Sequence, residues 1–70
     1  MSIQVGDKVS WNWGSGKGTG EVVERFTDEV TRTLKGSEVK RNASRDEPAF
    51  LIRQDDGDEV LKSISEIEEV

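Results

Sequence analysis

Cysteine, histidine and tyrosine are absent from this 70-residue chain, proline occurs once, and apolar residues make up only 31% of it. Each shortage excludes something. Without Cys or His the usual zinc ligand sets cannot be assembled, nor can a Ser-His-Asp or Cys-His nucleophile. Seven serines are present with no imidazole to activate one. Without Cys there is no disulfide framework, and a reducing cytoplasm is the expected location. No apolar run approaches the ~18 residues of a membrane span, and the opening MSIQVGDK lacks the apolar stretch of a signal peptide. A chain this short and polar buries about 60% of its unfolded surface. A deep substrate cavity would consume the core that it needs, and no enzyme activity, cofactor or membrane partner is expected.

Charge is plentiful but unevenly placed. Residues 1–45 carry eight basic side chains against six acidic ones, whereas residues 46–70 carry two against nine, for a net charge of −5. An acidic balance repels duplex DNA and anionic membranes at long range. The basic excess of the first part leaves room for a local cationic face.

Val9, Trp11 and Trp13 alternate with Lys8, Ser10 and Asn12, the period-two pattern of a half-buried strand. The run Gly14-Ser15-Gly16-Lys17-Gly18-Thr19-Gly20 holds four glycines in seven residues and reads as the flexible turn of a hairpin. Gly20 to Phe26 resumes an extended pattern, and the adjacent Val22 and Val23 mark either a bulge or a strand buried on both faces. A second hairpin fits Thr31–Leu34 and Glu38–Arg41, turning near Gly36. With only Val30, Leu34 and Val39 to bury, it is expected to project as an arm. Asn42 to Glu47 reads as loop, and Pro48 suits the start of a strand. Phe50 to Gln54 is the strongest strand, Asp56-Gly57 the strongest turn, and Glu59 to Lys62 the return. Ser65-Glu66-Ile67-Glu68 has the form of a capping box, enough for one helical turn. About five short strands, glycine-rich turns and one terminal helical turn describe a small all-β barrel. An OB-fold normally needs a longer chain, which favours an SH3-like barrel over residues 1–70 with its core at about 5–68.

Three motifs look chemical and fail on inspection. A phosphate-binding loop needs Ser or Thr after Gly16-Lys17 and glycine five positions before Gly16; Gly18 and Trp11 stand there. An EF-hand around Gly57 would need an oxygen ligand at Ile52 and a glutamate at Ser63. The carboxylate pairs show no sign of burial that would raise a pKa for acid–base work. Trp11 is assigned to the core with Val9. Trp13, at the strand end beside the glycine run, is either a second core ring or a partly exposed ring that stacks on a ligand.

Gly6-Asp7-Lys8-Val9-Ser10-Trp11, Gly20-Glu21-Val22 and the closing Asp56-Gly57-Asp58 through Ser65-Glu66-Ile67 resemble Tudor/SH3-like barrels, with their G-D-x-V-x-W opening, G-x-V second strand and D-G hairpin. Asp28 to Ser44 followed by Pro48 to Gln54 is similar to a narrower group, the hypervirulence-associated protein Tudor domain family. That resemblance spans about Val5 to Glu68. It implies a five-stranded barrel with an enlarged central hairpin. Tudor domains often read methylated Lys or Arg through an aromatic cage. Carried onto this chain, the cage positions fall on Trp13, near Lys17–Gly18, on Arg53 and on Asp56, so only one wall is aromatic. The expected function is a non-enzymatic interaction module that binds a protein or peptide partner. Its candidate contacts are Trp13, Lys17, Arg32, Lys35, Lys40, Arg41 and Arg53. The alternative is a nucleic-acid-binding barrel using Trp13 and the basic 32–45 arm, and a homodimer through the central hairpin is a third possibility.

Overall fold

The computed structural model describes residues 3–70. Seven strands run in chain order: β1 (Lys8–Trp13), β2 (Gly16–Phe26), β3 (Val30–Leu34), β4 (Ser37–Arg41), β5 (Ala49–Gln54), β6 (Glu59–Ser63) and β7 (Glu68–Glu69). A single 3₁₀ turn, Ile64–Glu66, separates β6 from β7. Five strands form one antiparallel sheet in the order β6-β5-β2-β1-β7, and β3 pairs only with β4. The fold is the expected all-β, SH3-like barrel, with the hairpin β3–β4 inserted between its second and third strands.

β2 makes the curl possible. Its first half, Gly16 to Glu21, pairs with β1, and its second half, Gly20 to Phe26, pairs with β5. The β2–β5 register slips between Val22 and Glu24, leaving Val23 as the extra residue of a bulge, which bends and twists the strand at the handover. Val22 is buried and Val23 half-buried, so the paired valines mark a bulge. Inside the barrel, Val9, Trp11, Val22, Phe50 and Ile52 pack with Ile3 and Ile67. The inclusion of Ile3 carries the core to the edge of the described residues.

The glycine run is mostly strand, contrary to the turn expected of it. Only Gly14 and Ser15 turn, and Gly16, Gly18 and Gly20 face Trp13, Trp11 and Val9 across the ladder. A Cβ on Gly18 would lie 2.6 Å from Cε2 of Trp11, and one on Gly20 would lie 2.5 Å from the Arg53 carbonyl oxygen and 2.7 Å from Cγ2 of Ile52. Glycine is there to admit a neighbouring ring and a neighbouring strand. Flexibility is not what those positions supply.

The hairpin β3–β4 also departs from expectation: it is packed and does not project. Lys35 and Gly36 close it as a two-residue turn with φ of 52° and 77°, the pair of positive values that matches strand twist. Its one-sided face of Val30, Leu34 and Val39 lies on Ala49 and Leu61 with Phe26 and Ala43, a second small core outside the barrel. Leu61 stands directly opposite Leu51 and needed a cover. The three apolar residues that looked too few for a core are enough because β5 and β6 supply the other half. The expected capping box at Ser65 is displaced by two residues: the Ser63 amide donates to the Glu66 carboxylate at 2.9 Å, ahead of the 3₁₀ turn. Among the described residues no helix is long and apolar enough to cross a membrane.

Candidate binding groove

An open groove of about 650 Å³ lies where the β1–β2 turn, the β5–β6 turn and the hairpin β3–β4 converge. Its lining takes Trp13, Lys17 and Gly18 from β1 and β2, Leu34, Lys35 and Val39 from the hairpin, and Gln54, Asp56, Asp58, Val60 and Leu61 from β5, β6 and the turn between them. Trp13 stands on the same strand face as Trp11, but one step beyond the barrel's end. Its cross-strand neighbour is Gly16, which has no side chain to cover the ring. Trp13 is therefore 72% exposed where Trp11 is 3% exposed. A large exposed ring sharing a groove with apolar side chains is the arrangement that marks a contact surface on a small protein.

The charges of the groove are largely spent on one another. Nζ of Lys35 lies 2.6 Å from Asp58, and this hydrogen bond, with the charge of Asp58 behind it, raises the Lys35 pKa. Nε of Arg41 donates to Oε1 of Glu66 at 2.8 Å and Nη2 to Oε2 at 3.3 Å, a bidentate clamp from the hairpin to the 3₁₀ turn. Lys62 approaches the same carboxylate at 3.9 Å. Partial burial pushes the Glu66 carboxyl up, but the hydrogen bonds from Arg41 and the Ser63 amide, with the charges of Arg41 and Lys62, outweigh it and hold the group below its ordinary value.

Of the seven residues singled out by sequence, Trp13, Lys17, Lys35 and Arg41 meet in this groove. The other three do not. Arg32 turns inward, its guanidinium 5.0 Å from the Phe26 ring centroid and 3.7 Å from Glu24. Lys40 pairs with Glu29 at 3.2 Å on the hairpin's outer face, and Arg53 with Glu59 at 3.6 Å. Among the described residues Lys17 is the one cation of the set without an acidic partner within 4 Å. Sequence reasoning missed the apolar part of the lining. Its signal was present as the inward alternation of Val30, Arg32 and Leu34, which a one-sided hairpin displays only when something packs beneath it.

The Hypervirulence associated proteins TUDOR domain family matches residues 6–67 of the chain. The chain belongs to that family. Neither the curated proteins nor the solved structures contain a match. A Tudor domain is in general a non-catalytic binding module. Of the positions that the Tudor cage would occupy, Trp13, Lys17, Gly18 and Asp56 line the groove, whereas Arg53 lies outside it. The groove thus has one aromatic side chain in its lining, Trp13, beside the Lys17 ammonium and the Asp56 carboxylate.

Proposed function

We propose that this Tudor domain is an interaction module that takes an extended peptide segment of a partner protein into the groove beside Trp13. The observation that carries the proposal is the exposed Trp13 ring sharing one groove with the apolar side chains of Leu34, Val39 and Val60. A peptide side chain is laid against the ring in that groove, and one such aromatic anchor supplies much of the energy of a small interface. Lys17 is free to meet a carboxylate of the peptide. The paired charges of the rim then set register at little cost in desolvation.

Nucleic acid is disfavoured by the same charges. Five of the six cationic candidates already face a carboxylate within 4 Å, namely Arg32, Lys35, Lys40, Arg41 and Arg53. Of the basic residues in the 32–45 arm, Arg45 alone has no carboxylate within 4 Å among the described residues, on a chain of net charge −5. The cysteine-free composition supports a cytoplasmic location.

Selection from a displayed peptide library on the wild-type protein, with each enriched peptide then measured on Trp13→Ala, tests the proposal. Enriched peptides should shift the Trp13 indole and the amides of Lys17, Lys35 and Val60 in ¹⁵N-labelled protein. Peptides that bind the Trp13→Ala protein equally well would refute it.

A further inference from the structure

The hairpin β3–β4 forms a sheet of two strands, and both of its outer edges are unpaired among the described residues. The two-residue turn makes Leu34 and Ser37 a hydrogen-bonded pair. Alternation then gives the same role to Arg32 with Val39 and to Val30 with Arg41. The N–H and C=O groups of Thr31 and Thr33 consequently point away from β4. Both residues are exposed, and no backbone partner from another element meets them among the described residues. Natural edges are usually blunted by proline, a bulge, an outward lysine or a covering loop. β3 has no proline, bulge, outward lysine or covering loop; its short length and the inward charge of Arg32 are the protection it carries, and Val30, Thr31 and Thr33 are β-branched. An open depression of about 380 Å³, lined by Phe26, Asp28, Thr31 and Arg32 among others, borders this part of the chain.

The sequence across that edge complements itself. Read outward from Arg32, Thr31 matches Thr33, Val30 matches Leu34, and Glu29 matches Lys35 with opposite charge. We propose that β3 is a self-recognition edge, and that two copies of the chain pair antiparallel through it about a two-fold axis at Arg32. In that register Thr31 of each protomer faces Thr33 of its partner as a hydrogen-bonded pair, giving four new backbone hydrogen bonds. Val30 faces Leu34 on one side of the new four-stranded sheet, and Glu29 faces Lys35 at each end. The apolar and Thr–Thr pairs stabilise antiparallel neighbours, each occurring twice as an isologous interface requires. Glu29 and Lys35 would exchange their present partners, Lys40 and Asp58, for each other, so that pair fixes register more than it adds stability. Arg32 opposes its own copy, but each guanidinium is held on its own Phe26 and Glu24. Leu34 and Lys35 also line the Trp13 groove, so the pairing abuts that groove on its hairpin side without using Trp13 or Lys17.

An edge of five residues a side falls well short of the ~1,000 Å² of a stable interface, so dissociation is expected at ~0.1–1 mM. Sedimentation equilibrium from ~0.02 to ~2 mM, spanning that range, should show the mass rise from 7.8 kDa toward twice that value. The amides of Thr31 and Thr33 should shift with concentration over the same interval. Thr33→Pro removes an outward N–H and leaves the β4 ladder intact; it should stay monomeric throughout with the Trp11 environment unchanged. The double variant T31E/T33K sets Glu opposite Lys twice across the axis. It should associate at least threefold more tightly in low salt, which keeps the test informative if Thr33→Pro does not fold. A wild-type protein that stays at 7.8 kDa to the top of the range overturns the proposal. So does a dimer that survives Thr33→Pro, or a Thr31 and Thr33 response that appears only on adding a foreign peptide.

Discussion

Replacing the three inward glycines of β2 one at a time by alanine should give three different outcomes, and the spacing around each sets their order. At Gly16 the nearest atom to a new Cβ is the Trp13 carbonyl oxygen at 3.9 Å. Gly16→Ala meets no clash and restricts the unfolded chain, so it should be neutral or stabilise by up to ~1 kcal/mol. At Gly18 the new methyl would sit 2.6–2.8 Å from three atoms of the Trp11 indole. The ring must tilt within a packed core, an overpacking that costs about 1–3 kcal/mol. At Gly20 the obstacle is backbone, the Arg53 carbonyl at 2.5 Å, with Ile52 behind it. A strand cannot yield as a side chain does, so Gly20→Ala should cost more than Gly18→Ala and break the β2–β5 register at the end where β2 passes from β1 to β5. A domain of this size holds only about 4–10 kcal/mol in total. Urea unfolding followed by tryptophan fluorescence resolves the series. With a slope of about 1 kcal/mol per M, Gly18→Ala should lower the midpoint by about 1–3 M, while Gly20→Ala should leave little folded protein. Equal midpoints for Gly16→Ala and Gly18→Ala would refute the account, because they would mean that the run is a loop indifferent to its neighbours.

Further outcomes follow from the packing and the charges. Trp11→Ala removes a fully enclosed ring and should cost about 3–5 kcal/mol, enough to unfold much of the population by circular dichroism. Trp13→Ala should change stability by no more than about 0.5 kcal/mol, and equal losses from the two would contradict the assignment of rings to core and groove. Glu66 has a folded pKa below its ordinary 4.5, so its contribution is full at neutral pH and disappears as pH falls through the depressed value. Glu66→Gln should therefore flatten the acid limb of a stability–pH profile measured below pH 5, and an unchanged limb would count against the Arg41–Glu66 clamp. Lys35 has a raised pKa, so its contribution is full below 10.5 and is lost as pH rises through the folded value. Lys35→Met should remove that alkaline loss, which pH-jump fluorescence would detect.

How much of this was legible in the sequence depended on whether the deciding partner lay nearby in the chain. Alternation in Lys8–Trp13, the Asp56-Gly57 turn and the Lys35-Gly36 turn are local signals, and each element formed where its residues predicted. The glycine run misled because composition reports conformational freedom and close approach with the same letter. Only Trp11 across the ladder and Arg53 on the next strand reveal which applies. The hairpin misled for a similar reason: Val30, Leu34 and Val39 seem too few until Leu61 and Ala49 are known to lie beneath them. For the site, the sequence brought forward Trp13 and a row of cations. It could not reveal that Glu24, Glu29, Asp58, Glu59 and Glu66 neutralise five of them, since those pairs join residues up to 25 positions apart. The charge pairing of the arm adds to the acidic net charge in support of the peptide reading already expected over nucleic acid.

The most direct test of the groove compares two titrations of ¹⁵N-labelled protein at low and high salt. One uses a library-selected peptide and the other mixed single- and double-stranded oligonucleotides. The account predicts peptide-induced shifts at the Trp13 indole, Lys17, Lys35 and Val60 that persist as salt rises, and a silent oligonucleotide titration. Oligonucleotide shifts spread over Arg32 to Arg45 and fading with salt would contradict it.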